Sequence, residues 1–411
     1  MFGTTLRTAW RNLGRNRRRT GLTLGAIAVA QTAVLVFSGM INGFGDSTLE
    51  TVTGPIVGHA QIHAHDWREE RATEMAIDDV TAKLAAIRAL PGVDSAFARV
   101  YAPALVASEM DGHGAMILGV DLDAETGPGG LLEGIAPEAL DGEHPALIGA
   151  AFARDTGMEV GDELAVVGSA SDGSIAADLV TITGLIETPL DMINRGGLIV
   201  GISVVQEAFL LEDSAHEITV RGADPGAADA LVASLSTIDG LDELEILTWQ
   251  EVAPEMSQIL EVMGVYGYIV MIIVFMAAAA GVANTMLMST FERRRELGML
   301  LALGSGPGRL LRMVLTEALL LGLLGVAVGT VVGGALVLYW SEAGMDVLMG
   351  GGASAEGLAM FGVGVDPYVY PFLTVGNVVA GFIGIAVVSV VAAFLPALGT
   401  ARLEPVEAMR G

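Results

Sequence analysis

The chain contains no cysteine, and its single lysine is Lys83. The first absence excludes disulfides, so any domain outside the cytoplasm must be stable without them, which a domain of this size permits. The second removes the one motif that would suggest nucleotide binding. Gly304-Ser-Gly-Pro-Gly-Arg309 has the glycines of a phosphate loop, but a Walker A loop needs a lysine on the phosphates. The stretch reads instead as a helix stop and restart, with a glycine cap and Pro307 at the next start. If ATP drives this protein, another chain hydrolyses it. The sequence also offers no nucleophilic triad, no paired catalytic carboxylates and no nucleic-acid patch, so a non-catalytic chain is expected.

What is abundant is apolar. Mean hydropathy is +0.59, and four runs reach the roughly 20 residues a helix needs to cross a bilayer. They fall at 21–44, 259–290, 309–340 and 371–398. The second and third are overlong and should tilt or project. Segment 1–20 carries Arg7, Arg11, Arg15, Arg17, Arg18 and Arg19 and no acid. The connection between the second and third spans adds Arg293, Arg294, Arg295, Arg309 and Arg312, and the 399–411 tail adds Arg402 and Arg410, which brings the total to thirteen of the 21 basic residues. The positive-inside rule places these three segments in the cytoplasm. Residues 44–260 carry 38 acids against 8 bases, a net charge of −30 against −27 for the whole chain. That stretch belongs outside, and four spans with both termini inside is the topology that fits. The first span is expected to be retained as a signal anchor, because its apolar run is too long for a cleaved signal peptide.

The expected fold is therefore a helical membrane domain of four transmembrane helices with a large inserted α+β domain at 45–258. Residues 1–20 read as an amphipathic interfacial helix, with Phe2, Leu6, Trp10 and Leu13 at helical spacing. Within the outer domain, strands are predicted at 98–107, 115–120, 146–149, 163–167, 180–188, 198–201, 217–220 and 245–248. Helices are predicted at 81–90, 204–211 and 227–235, with a short one ending at Thr156. This order suggests two small lobes, one combining residues near 46–110 with 215–255 and the other inserted between them. A glycine-rich outer loop, 341–370, separates the last two spans.

Several polar groups need a role. His59, His63 and His65 share one face of a strand with Gln61, and a solvated face is expected there, with a surface metal site as the alternative. Asp121, Asp123 and Glu125 resemble the start of a calcium loop, but the following glycine is one place late, so a polar turn is expected. Glu317 lies inside the third span and Asn284 near the inner end of the second. Without other acids or histidines in the span cores, both suggest helix-to-helix or interfacial hydrogen bonding rather than a proton relay.

The most informative stretch is Asn284–Gly304. An apolar span breaks into five consecutive charges, Glu292, Arg293, Arg294, Arg295 and Glu296, and then resumes as an amphipathic turn ending at glycine. A helix that leaves the membrane and lies charged along its surface suggests a docking element for a cytoplasmic partner.

Together these motifs resemble the permease subunits of the MacB/FtsX-type ABC transporters, most similarly the lipoprotein-releasing branch. The resemblance covers nearly the whole chain. It rests on the basic entry TAWRNLGRNRRRTGLTLGAIAVA, on MINGF and GHAQIH within 39–65, and on Glu292-Arg293-x-x-Glu296-Leu297-Gly298-x-Leu300-x-Ala302-x-Gly304. Glu317-Ala-Leu and the closing Pro405-Val-Glu-Ala-Met-Arg410 add to it. The resemblance implies a MacB-like periplasmic domain and an inner-membrane location. It implies a second permease copy or paralogue, and a separate cytoplasmic ABC ATPase that binds the ATP and magnesium. The coupling helix would comprise Glu292, Arg293, Arg294, Arg295, Glu296, Gly298, Leu300 and Gly304. Lipoprotein or lipid cargo would enter between the first two spans beside Met40, Phe44, Met263 and Tyr266 and pass to a periplasmic carrier or adaptor. The alternatives are export of peptides, drugs or other lipids with an adaptor, or FtsX-like control of a cell-wall hydrolase. Thr188-Pro-Leu-Asp-Met192 is the nearest candidate for a carrier-binding loop. The chain begins at the first span, without the fused ATPase of MacB, so a separate ATPase is expected.

Overall fold

The computed structural model describes residues 11, 17–108, 111–188, 191–346, 359–360, 363–364 and 368–401. The predicted amphipathic helix, the C-terminal tail and the outer loop fall largely outside the described residues. Two compact units emerge, with Asp46–Ile259 in one and the flanking helical segments in the other.

The helical unit is built on α1 (Arg17–Thr53), α2 (Pro254–Glu292), α3 (Arg294–Ala302), α4 (Pro307–Ala343) and α5 (Val375–Ala401). All but α3 are long and apolar enough to cross a membrane. At 37 residues α1 is about 55 Å long, well beyond the roughly 30 Å hydrocarbon core. It therefore continues past the predicted end of the span at Phe44, and α2 likewise starts five residues before its apolar run. Hydropathy marks where lipid ends, whereas backbone hydrogen bonding continues until something breaks it.

Small residues hold α4 against its neighbours. A Cβ on Gly329 would lie 2.5 Å from the Ala28 carbonyl oxygen, one on Gly325 would meet Ile27 at 2.6 Å, and one on Gly322 would meet Ser389 Oγ at 2.7 Å. Glycine at these positions lets the backbones approach, which is the main source of packing energy between helices in lipid. Across the same seam Gln31 Nε2 donates to Thr330 Oγ1 at 3.2 Å, and Thr32 Oγ1 donates to the Gly329 carbonyl at 3.2 Å. By contrast α2 has only 6% of its most apolar window buried, so nearly all of its faces are open to lipid or to another chain.

The second unit is built on one nine-stranded mixed sheet, in the order β3-β7-β4-β6-β5-β2-β8-β1-β9. The strands are β1 (Ala60–His63), β2 (Val93–Ser108), β3 (Asp111–Val120), β4 (Pro145–Gly149), β5 (Glu163–Ser169), β6 (Ile175–Ile186), β7 (Gly197–Gly201), β8 (Glu217–Gly222) and β9 (Glu245–Thr248). The two sets of strands read from the sequence as lobes are joined through β2. Its first half pairs with β8, and its second half pairs with β3 and β5. One apolar core runs from Ile62 and Ile218 to Val166 and Val180.

One end of this sheet takes the chain from α1 and returns it to α2. Strand β1 follows α1 and β9 precedes α2, and the two are hydrogen-bonded neighbours, with Ala60 opposite Thr248 and His63 opposite Glu245. The domain thus receives its two membrane helices through adjacent strands of one ladder.

Candidate functional site

Three regions carry groups that a packed core alone does not require. The first is the break between α2 and α3. Helix α2 ends at Glu292, whose carboxylate pairs with Arg19 of α1 at 2.6 Å. Arg293 turns inward, with Nη1 3.0 Å from Glu317 Oε2 of α4 and both side chains largely buried. Glu317 therefore binds another segment of its own unit, as helix-to-helix bonding required. Leu297 and Gly298 are also buried. What remains outward is Arg294, Arg295, Met299, Leu300 and Leu303, with Phe291 one turn earlier. Arg295, Met299 and Leu303 recur at i, i+4 spacing, which places them on one face of α3. Gly304 ends the element at φ +84°, a conformation that favours glycine.

The second region is a cavity of about 370 Å³ among α1, α2 and the start of α5. Val34, Ile41, Tyr268 and Met271 make its apolar wall, and Ser38, Asn42, Thr374 and Asn377 its polar one. Asn42 Nδ2 donates to Asn377 Oδ1 at 2.9 Å and to the Phe372 carbonyl at 3.2 Å. Gly264 and Gly267 leave room on the α2 side. Of the residues expected at the cargo entry, Met40, Phe44 and Met263 are half-buried and Tyr266 is exposed. Their helix neighbours Ile41, Gly264 and Gly267 line this cavity. Depth along a helix is legible from hydropathy, but the rotation that decides which residue faces a cavity depends on the partner helices.

The third region lies inside the outer domain, where the chain leaves α1 and rejoins α2. Arg99 in β2 is fully buried. Its Nε donates to Glu125 Oε1 at 2.8 Å, its Nη1 to the Ile56 carbonyl at 2.7 Å, and its Nη2 to the Pro55 carbonyl. Glu217 Oε1 lies 3.6 Å away. Pro55 and Ile56 follow directly on α1, and carbonyls past a helix end need outside partners. At the other junction Arg68 Nη2 donates to the Val252 carbonyl at 2.7 Å and Nη1 to that of Glu251 at 3.3 Å, just before α2 begins. Two arginines thus hold the backbone at the two points where the domain meets its membrane helices. Burial by itself would weaken the Arg99 charge, but Glu125, Tyr101 and Glu217 hold its pKa well above the ordinary value. Sequence reading missed both arginines. The available signal was a lone arginine between apolar Ala98 and Val100 in a strand.

Two descriptions of known families match this chain. An FtsX-like permease C-terminal region matches residues 268–405, and a MacB-like periplasmic core domain matches residues 20–238. The chain belongs to the MacB/FtsX-like permease family. It is 23% identical over 444 aligned residues to the macrolide export ATP-binding/permease protein MacB of Hahella chejuensis, covering 99% of this chain and 60% of that one. It is 22% identical to the lipoprotein-releasing system transmembrane protein LolC of Neisseria meningitidis, covering 78% of this chain and 77% of that one. The crystal structure of the periplasmic region of MacB from Actinobacillus actinomycetemcomitans aligns at a TM-score of 0.34 and 13% identity, over 51% of this chain and 97% of that one. As a permease of this family the chain is a membrane protein, and it spans 60% of the length of that MacB.

In this permease two of the three histidines expected on a solvated strand face are buried, and His65, past the end of β1, is exposed. His59 and His63 are 4% and 1% exposed, His63 being covered by Trp67 and His59 accepting the Gly222 N–H. Trp67 stacks on His63 and His216 with centroids 5.1 and 5.4 Å apart, and the Arg71 guanidinium lies 4.4 Å from its ring centre. Among the described residues no group of His, Asp or Glu is arranged to hold a metal ion. Asp121 caps the 122–125 helix by accepting from Ala124 N–H at 3.2 Å, and Glu125 is the buried partner of Arg99, so the calcium-like run is a structural turn.

Burial lowers the pKa values of His59, His63 and His216 from about 6.5. His216 Nδ1 accepts the Tyr101 N–H at 3.0 Å while Nε2 donates to the Thr73 carbonyl, a pattern only the neutral ring satisfies. Below pH 6.5 the unfolded chain takes up protons that the folded domain does not, so stability falls as pH falls. Each such histidine contributes a slope of at most about 1.4 kcal/mol per pH unit. Thermal unfolding of the detergent-solubilised chain is expected at a lower temperature at pH 5.5 than at 7.5. His216→Asn, which keeps an acceptor but cannot titrate, should flatten the profile. Identical profiles for the two proteins would contradict this assignment.

Proposed function

We propose that this chain is an inner-membrane permease subunit, with both termini cytoplasmic, that works as a pair with a second copy or a paralogue. ATP and magnesium are bound by a separate ATPase seated on the outward face of α3. Its closure moves α1 and α2, and the paired strands β1 and β9 carry that motion into the outer domain without substrate passing through a channel. The cargo is an acylated protein, which enters from the membrane beside α1 and α2 and passes to a carrier outside.

The observation that carries this reading is the cavity at α1, α2 and α5. It offers apolar walls for acyl chains and the Asn42–Asn377 amides for ester or amide groups, and it adjoins a helix whose surface is almost entirely open. A useful variant is Gly264→Leu, because Gly264 lines the cavity and a Cβ there meets nothing within 4 Å. Affinity purification of the tagged chain in mild detergent, followed by mass spectrometry, is expected to retain an ATPase and acylated proteins. Gly264→Leu should keep the ATPase and lower the acylated cargo about tenfold, equivalent to about 1.4 kcal/mol of binding. Recovery of an ATPase with an adaptor or a cell-wall hydrolase, and no acylated protein, would move the function away from lipoprotein release.

A further inference from the structure

A second cavity, of about 380 Å³, lies in the outer domain where α1 ends, and of the side chains given a role above only His59 borders it. Asp46, Glu50, His59, Asp94, Arg221 and Gly222 line it. Its charges are divided. Asp46 and Glu50 stand one helical turn apart on α1, about 6 Å along the axis, and so share a face. Arg221, on β8, supplies the opposite charge, and its side chain makes no hydrogen bond or ion pair among the described residues. Its guanidinium reaches Gly129, where a Cβ would overlap it, so Arg221 borders both this cavity and the neighbouring one lined by Arg88 and Gly129.

Depth restricts what the cavity can meet. Residues 21–45 contain no charged side chain, and Asp46 and Glu50 are the first two charges after them. That uncharged stretch is about 37 Å of helix, slightly more than the hydrocarbon core. Asp46 and Glu50 therefore stand at the level of the lipid headgroups of the leaflet on the domain's side. A bare metal ion does not fit, because no group of ligands among the described residues is gathered closely enough to hold one. A simple anion would face Asp46, Glu50 and Asp94, and a simple cation would face Arg221. A ligand carrying both charges, set apart, satisfies each wall.

We propose that this cavity holds the headgroup of a phosphatidylethanolamine-type lipid, with the phosphate on Arg221 and the ammonium between Asp46 and Glu50. The guanidinium fork suits a phosphate, and a primary ammonium offers three N–H donors to the carboxylates. A choline headgroup has no such donors, and a glycerol headgroup lacks the positive charge. The lipid ties the domain end of α1 to its leaflet, whatever cargo the permease carries.

The test uses the full chain, purified in detergent and stripped of lipid, and titrated with dihexanoyl phosphatidylethanolamine, phosphatidylcholine and phosphatidylglycerol. Bound lipid is read by native mass spectrometry. Phosphatidylethanolamine is expected to bind at least about tenfold more tightly than the other two. Arg221→Gln should weaken it about tenfold, as loss of a charge-assisted contact does. Asp46→Asn with Glu50→Gln should abolish the preference over phosphatidylcholine. Thermal unfolding verifies that both proteins remain folded, and the α1 pair gives an independent reading if Arg221→Gln is unstable. Equal retention of all three lipids, or no effect of either variant, would overturn the proposal. So would soluble glycerophosphoethanolamine binding as tightly as the lipid, because the site would then not be reading a membrane component.

Discussion

Replacing Arg294 and Arg295 with glutamate is expected to release the ATPase, lowering its co-purification about 100-fold while the permease still inserts. Both side chains point outward from α3, beside exposed Met299 and Leu303. Setting like charges against one another at an interface costs several kcal/mol, and about 2.8 kcal/mol is a factor of 100. Arg293 is expected to behave differently. It faces Glu317 at 3.0 Å with little solvent around either group, so Arg293→Glu places two carboxylates together inside the helical unit. Breaking a buried pair costs about 3–5 kcal/mol, and here repulsion adds to the loss. That variant should reduce the amount of folded permease in the membrane rather than its affinity for the ATPase. Quantitative immunodetection of membrane-inserted protein, alongside ATPase retained per permease, separates the outcomes. Equal ATPase retention in the Arg294/Arg295 variant and the parent would remove the docking role from this face.

The charged run at this break shows where sequence reading stops. The run Glu292–Glu296 identifies a charged break after a span, and the structure places a helix break there, at Arg293. The run does not say that Glu292 belongs to Arg19, or that Arg293 belongs to Glu317, because those partners lie 273 and 24 residues away. The strands of the outer domain were legible for a related reason. Alternation and apolar runs are local signals, and those around Ala98–Ala107, Ala146–Gly149 and Glu217–Val220 lie within observed strands. Sheet order was not legible. Nothing local shows that Trp67 folds back over His63 or that the Gly222 N–H reaches His59, so the histidines at 59 and 63 read as solvated when they are buried. The cavity beside α1 and α2 shows a similar limit. Met40 and Ile41 lie at almost the same depth on α1 and differ by about 100° in direction, and only Ile41 lines the cavity.

Arg99→Met is expected to lower the thermal stability of the outer domain and also to disconnect it from α1, and a compensating variant separates the two effects. Removing the guanidinium strands the fully buried Glu125 carboxylate and leaves the Pro55 and Ile56 carbonyls without their donor. Loss of one partner from a buried pair costs about 3–5 kcal/mol. In a domain of about 200 residues that corresponds to a fall of roughly 6–20 °C in the melting temperature. In Arg99→Met with Glu125→Leu both charges are gone, and apolar replacement of a buried pair is often close to neutral. Glu217 remains satisfied there by Thr219 Oγ1 at 2.8 Å and by the Tyr101 hydroxyl. The double variant should therefore recover most of the lost stability, yet Pro55 and Ile56 still lack a donor. If Arg99 transmits force from α1 into the sheet, this protein will bind its ATPase and hydrolyse ATP at close to the parent rate. Its cargo release per ATP will nevertheless fall about tenfold. If Arg99 serves stability alone, restoring the melting temperature restores cargo release with it. Measuring release and hydrolysis together in reconstituted vesicles distinguishes the two, because a purely structural residue cannot lower their ratio once the fold is recovered.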